Sequence, residues 1–177
     1  MLVLIAVLLT AAIQPLGELA NILKEKVVLN AALMNSGRAA HNNALNIWHM
    51  MNLEARVNEN DFIELFSEAF SRSLNLSHNF IRSANVNNTV VFTSNDEDER
   101  FNPITVEFSF EHNIRYSDID DIDFGDTVYH DRPVTVVTVR METPYLFRTF
   151  LLRQANGVSN DDYLITETRK FLLQVIN

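Results

Sequence analysis

The first thirteen residues carry a single polar side chain, Thr10, and no charge appears before Glu18. A helix that is apolar on every side has no place on the outside of a water-soluble domain. Taken as helix, residues 1–16 rise roughly 24 Å, short of the roughly 30 Å hydrocarbon core of a bilayer. From residue 17 to about residue 57 the helical pattern continues through Leu19, Ile22, Leu23, Val27, Ala31, Met34, Ala40, Ala44, Ile47, Trp48, Met51 and Leu53, close to three- and four-residue spacing. Pro15 and Gly17 predict a kink or a short unwound stretch, with a boundary between two helices as the alternative. A helix over residues 1–57 would be about 85 Å long. The remaining chain, roughly 120 residues, would form a ball with a radius of gyration of about 14 Å, too small to cover such a rod. The first two dozen residues must therefore find apolar surroundings in lipid or in other copies of the chain.

Beyond the apolar run, Ala31, Ala32, Ser36, Gly37, Ala39, Ala40 and Ala44 form a patch of small residues that lets another backbone approach closely. The favoured occupant is the chain's own sheet, with a helix of another subunit as the alternative. Residues 58–61 break the pattern, and Asp61 followed by Glu64 fits a capping box. Phe62, Leu65, Phe66, Ala69 and Phe70 mark a second amphipathic helix over residues 61–74. After residue 86 the period changes. Residues 89–93, 104–110 and 134–140 read as strands, and residues 145–153 as a further one. The acidic run at residues 95–99 is expected at a hairpin tip, and Asn156 with Gly157 marks a turn. Residues 163–176 fit either helix or strand, and the β-rich neighbourhood favours strand. The predicted class is α+β: a long N-terminal helix packed on a small antiparallel head, with Leu45, Trp48, Val106, Phe108, Val136 and Val139 in their contact. The expected organisation is an apolar segment over residues 1–24, its continuation on the head over 25–57, and the head over 58–177.

Charge narrows the partners. Residues 1–57 hold Lys24, Lys26, Arg38 and Arg56 against Glu18, Glu25 and Glu54, a balance of +1, so the net charge of −9 leaves −10 on the head. Such a head repels phosphate backbones, and no nucleic-acid partner is expected. The chain has no cysteine, which excludes disulfides, thiolate nucleophiles and sulfur-ligated metals. No basic n-region precedes the apolar run, so it either inserts as it stands or follows a leader already removed.

Candidate chemistry is sparse. Asp118, Asp120, Asp121, Asp123 and Asp126 could offer hard oxygen ligands to calcium. Counted from Asp118 loop position five, which must supply an oxygen ligand, is Ile122, and from Asp121 it is Gly125, so the spacing does not match an EF-hand loop. A solvated acidic loop with Ile119, Ile122 and Phe124 turned inward is the better reading. His41 and His49 lie eight residues apart, too far to share a metal on one helix. His112 and His130 flank the acidic loop and could approach each other, but nothing in the sequence fixes that geometry; for all of these and His78 surface or capping roles are expected. Asn75 and Asn87 open glycosylation sequons, which occur often by chance. No nucleophile motif, zinc motif or phosphate loop is present, so neither a cofactor nor an enzymatic activity is expected.

An apolar stretch opening a long amphipathic helix ahead of a small β-rich head resembles the type IV pilin-like superfamily, closest to the TadE-like pseudopilins of tight-adherence pilus systems. The residues that carry the resemblance are 1–16, the alanine-rich continuation 29–40, and the strand 134–140 before Thr143 and Pro144. It implies leader removal by a prepilin peptidase, Met1 as first mature residue, and apolar helices bundled in a filament core. The chain departs from the family in lacking a glutamate early in the apolar stretch; its first acid is Glu18. The implied assembly set is Met1, Leu2, Leu4, Ile5, Val7, Leu8, Leu9, Ala12, Ile13, Pro15, Leu16, Glu18, Leu19, Ile22 and Leu23. The resulting expectation is a cell-surface filament subunit that contacts other copies of itself and sits in a membrane before assembly. A single-pass surface protein whose head binds a partner is the alternative, and a membrane-tethered enzyme ranks last.

Overall fold

The computed structural model describes residues 2–44, 56–83, 86–95, 101, 103–115, 133–145, 147 and 163–174, without the side chains of residues 2–12, 80–83, 86, 87, 115, 133, 173 and 174. Helix α1 spans Leu2–Asn43 and helix α2 Glu59–Leu74. Five strands follow: β1 Leu76–Ser83, β2 Val86–Ser94, β3 Ile104–Arg115, β4 Pro133–Tyr145 and β5 Tyr163–Gln174. They form one antiparallel meander in sequence order, which bears out the α+β class and the strand reading of the C-terminal segment.

The long helix continues past its first punctuation mark, as expected, and departs from expectation at its second. It passes through Pro15 without interruption, so there is neither an unwound stretch nor a boundary there. It ends at Asn43, not near residue 57. The Asn43 side chain bonds back to the Ala39 carbonyl at 2.7 Å, and the amide of Asn58 reaches the Ala44 carbonyl at 3.2 Å. A helix continued over those fourteen residues would hold Ala44 and Asn58 about 21 Å apart. The chain has instead turned back, and α1 and α2 form a helical hairpin. The α2 cap also differs from expectation. Asn58 is the N-cap, its side chain accepting from the Asp61 amide at 3.4 Å, and Asp61 is the third helical residue. At the other end Asn75 takes the left-handed conformation with φ 54°, and its amide donates to the Ser71 carbonyl, an ending that asparagine tolerates better than most residues.

Both helices lie on the same face of the sheet. Register places Val90 and Phe92 of β2, Ile104, Val106 and Phe108 of β3, Val137, Val139 and Met141 of β4, and Ile165 and Phe171 of β5 on that face, all buried. Four-residue steps in α2 line Phe62, Phe66 and Phe70 over them. Phe66 meets Phe108 edge-on at 5.0 Å, Phe70 meets Phe92 at 4.9 Å, and Phe62 stands within 6.4 Å of Phe108, Phe110 and Phe171. Val136, expected in this contact, is buried on the opposite face of β4, because its register neighbours are Glu111 and Leu172. β4 runs on to Tyr145 through inward-facing Met141 and Thr143, so Tyr145 ends that strand instead of opening a new one. Leu45, Trp48 and the turn at Asn156 lie outside the described residues, as do residues 148–153 of the further expected strand.

Candidate functional site

α1 presents two apolar faces. One is buried against its own chain: Glu18, Ile22, Leu29, Ala32, Leu33, Ser36, Ala40 and Ala44. Five of the seven expected small residues, Ala32, Ser36, Gly37, Ala40 and Ala44, are buried against the chain's own fold, while Ala31 and Ala39 are exposed. The closest approach is at Gly37, where a Cβ would stand 1.9 Å from the ring of Phe171. Polar ties hold the helix to the same strand. Arg169 donates to Asn30 Oδ1 through Nε at 2.9 Å and Nη2 at 2.7 Å, and Lys26 pairs with Glu167 at 3.1 Å. Contact with the head therefore begins near Glu18, several residues before the expected boundary at 24/25.

The second face is open. Ile13, Leu16, Leu23 and Val27 are each more than 60% exposed, Leu19 is 43% exposed, and Ala20 is exposed. Positions 13, 16, 20, 23 and 27 alternate steps of three and four residues, the spacing of a helix-to-helix seam. At 3.6 residues per turn this seam lies about 160° around the axis from Glu18, Ile22 and Leu29, and it runs for about 21 Å. In sequence the same spacing extends back through Leu9, Ala6 and Leu2.

The expected assembly set divides accordingly. Ile13, Leu16, Leu19 and Leu23 point outward and Pro15 is half-buried, whereas Glu18 and Ile22 are already buried within one chain. The side chains of Met1, Leu2, Leu4, Ile5, Val7, Leu8, Leu9 and Ala12 lie outside the described residues. Ala20 and Val27 complete the seam and were missed. Their three-four spacing with Leu16 and Leu23 was the available signal, hidden because the run before residue 13 fits every period. Among the described residues no helix is long and apolar enough to cross a membrane.

Of the other candidate chemistry, the described histidines serve packing. The acidic cluster Asp118, Asp120, Asp121, Asp123 and Asp126 lies outside the described residues, as do His49 and His130. Among the described residues no group of three or more histidines or carboxylates could hold a metal. His112 joins two layers, with Nε2 3.1 Å from Glu59 at the start of α2 and Nδ1 3.2 Å from Thr135 of β4. His41 bonds the backbone of Leu172, and burial lowers its pKa. His78 lies 5.9 Å from the ring of Phe92. An open polar hollow of about 410 Å³ is lined by Gln14, Gly17, Glu18, Asn21, Lys24, Glu25 and Tyr145. Comparison with family models, with curated proteins and with solved structures found no match.

Proposed function

We propose that the chain is a structural subunit of an extracellular, pilus-like filament that polymerises through α1 and sits in a membrane before assembly. The observation that carries this reading is the division of α1 into a face satisfied by its own head and an opposite, open apolar seam from Ile13 to Val27. Burying such a seam is favourable at roughly 25 cal/mol per Å² of apolar surface. A head-to-tail repeat of this contact would generate an open filament rather than a closed ring. The apolar run before residue 13 extends the seam in sequence, and enclosure by equivalent helices removes the mismatch between its length and a bilayer.

The test is electron microscopy of material sheared from cells that express the full chain, beside a variant lacking residues 1–12, which leaves the head contacts of Glu18 and Ile22 in place. Filaments from the full chain and none from the deletion support the reading. A full chain that stays monomeric in detergent and in membranes, with no filament on cells, transfers it to the membrane-anchored surface protein.

A further inference from the structure

We infer that β5 is a second self-association site, pairing antiparallel with β5 of another copy about a two-fold axis through Thr168. Among the described residues β5 is an edge of the sheet, with β4 on one side only. Natural edges are usually blunted by shortness, proline, a bulge or charged side chains, and of these β5 has only charge, at Glu167, Arg169 and Lys170. β1, the opposite edge, is eight residues long and irregular between Ile81 and Ser83. β5 is twelve residues long, pairs with β4 without a register shift, and contains no proline or glycine. It opens on Tyr163 and Leu164, both more than 40% exposed.

The sequence of β5 is complementary to itself read backwards. Centred on Thr168, an antiparallel copy sets Glu167 opposite Arg169, Thr166 opposite Lys170, Ile165 opposite Phe171 and Leu164 opposite Leu172. On the helix face opposite charges then meet at the centre, on the other face Thr168 meets its own copy with Thr166 beside Lys170, and apolar residues meet at both ends of each face; such cross-strand pairs are the stabilising unit of a sheet. Moving the axis by one residue, which shifts the register by two, would place Glu167 against Glu167 or Arg169 against Arg169, so the charges disfavour those neighbouring registers. The occupant is thus a second copy of this chain, and the contact is isologous. The geometry of α1 agrees with this axis. Lys26 and Asn30 reach Glu167 and Arg169 on either side of Thr168, and their neighbours Val27 and Ala31 are exposed. The two copies of α1 would therefore approach each other through an apolar side chain and a small one. The ring of His41 bonds the backbone of Leu172, which places the continuous part of the pairing between Ile165 and Phe171.

The absence of cysteine makes the test direct. Thr166, Thr168 and Lys170 are exposed on the face away from the helices, so cysteine is tolerated there. On the axis, Thr168 would stand opposite its own copy with Cα atoms about 4.5–5.5 Å apart, within disulfide reach. Thr166 would stand about 13 Å from its own copy, out of reach. Full-length Thr168→Cys, Thr166→Cys and the double variant Thr166→Cys/Lys170→Cys are oxidised in mild detergent with copper phenanthroline and read on a denaturing gel. The expected result is a covalent dimer from Thr168→Cys and from the double variant, and monomer from Thr166→Cys, each with the melting temperature of the unmodified chain when reduced. No dimer from Thr168→Cys, or equal dimer from the two single variants, overturns the pairing. The cross-link is read whether or not filaments form, so it stands or falls separately from the role of α1.

Discussion

Gly17 and Gly37 occupy the same helix and answer to opposite constraints. Glycine costs a helix roughly 1 kcal/mol relative to alanine through backbone entropy. Nothing lies within 4 Å of a Cβ built at Gly17, so Gly17→Ala should stabilise the chain by about that amount. At Gly37 the same change drives a methyl into the buried ring of Phe171, and overpacking typically costs about 1–3 kcal/mol. Gly37→Ala should therefore lower the melting temperature where Gly17→Ala raises it; two upward shifts would mean that Phe171 moves aside freely. His41 supplies the residue-scale pH dependence. Burial lowers its pKa below the ordinary 6.5, against the opposing effects of its bonds to Asn42 and Leu172. The unfolded chain then binds the proton more readily than the folded one. The stability this group contributes is complete above about pH 6.5 and is lost progressively as the pH falls below it. Denaturation midpoints at pH 7.5 and 5.5 should fall further for the native chain than for His41→Gln; equal losses would place the acid sensitivity elsewhere.

At the scale of elements, α2 is the part whose sequence and packing agree most directly. Its three phenylalanines at four-residue steps gave the apolar stripe in the sequence, and the same rings stack at 5.5 and 6.4 Å above the sheet. Phe66 is fully buried between Phe62, Phe70 and Phe108, so Phe66→Ala should cost about 3–5 kcal/mol, measurable as a shift in urea midpoint at constant slope. A cost below 1 kcal/mol would mean that the helix does not seat on β3. Strands β2, β3 and β4 were legible because threonine, valine, isoleucine and phenylalanine are concentrated in them, with strict alternation only in β3. β1 was not, because Ser77, His78 and Asn79 read as loop; its pairing with β2, including the 2.8 Å contact between Ser77 and Thr93, comes from tertiary structure. The end of α1 was misplaced for a related reason. No glycine or proline stands there, and apolar residues continue beyond Ala44 at helical intervals. The Asn42 and Asn43 pair was the available cue, weak in sequence and decisive only once Asn58 returns to Ala44. The ties between Asn30 and Arg169 join positions 139 residues apart, which periodicity cannot bring together.

For the whole molecule, the same helix has to satisfy its own head and a neighbour at once, and its two faces separate these tasks. The chain was read correctly as α+β with an N-terminal helix packed on a sheet, but sequence alone could not assign the apolar positions of that helix to one face or the other. Ile22 and Leu23 illustrate the difference: adjacent residues of similar hydrophobicity, 5% and 64% exposed. A carboxylate introduced at Ile22 is buried against the head without a partner and should destabilise the fold by several kcal/mol. The pair Leu16→Glu and Leu23→Glu lies on the open seam, where substitutions usually change stability by no more than about 0.5 kcal/mol. If the seam is the polymer contact, the double variant keeps the denaturation midpoint of the native chain in mild detergent, yet cells expressing it carry no filaments because each subunit would bury two unpaired charges. Filaments of normal number from that variant would remove the seam from the assembly contact, and a collapsed denaturation midpoint would mean that these two leucines belong to the head's own core.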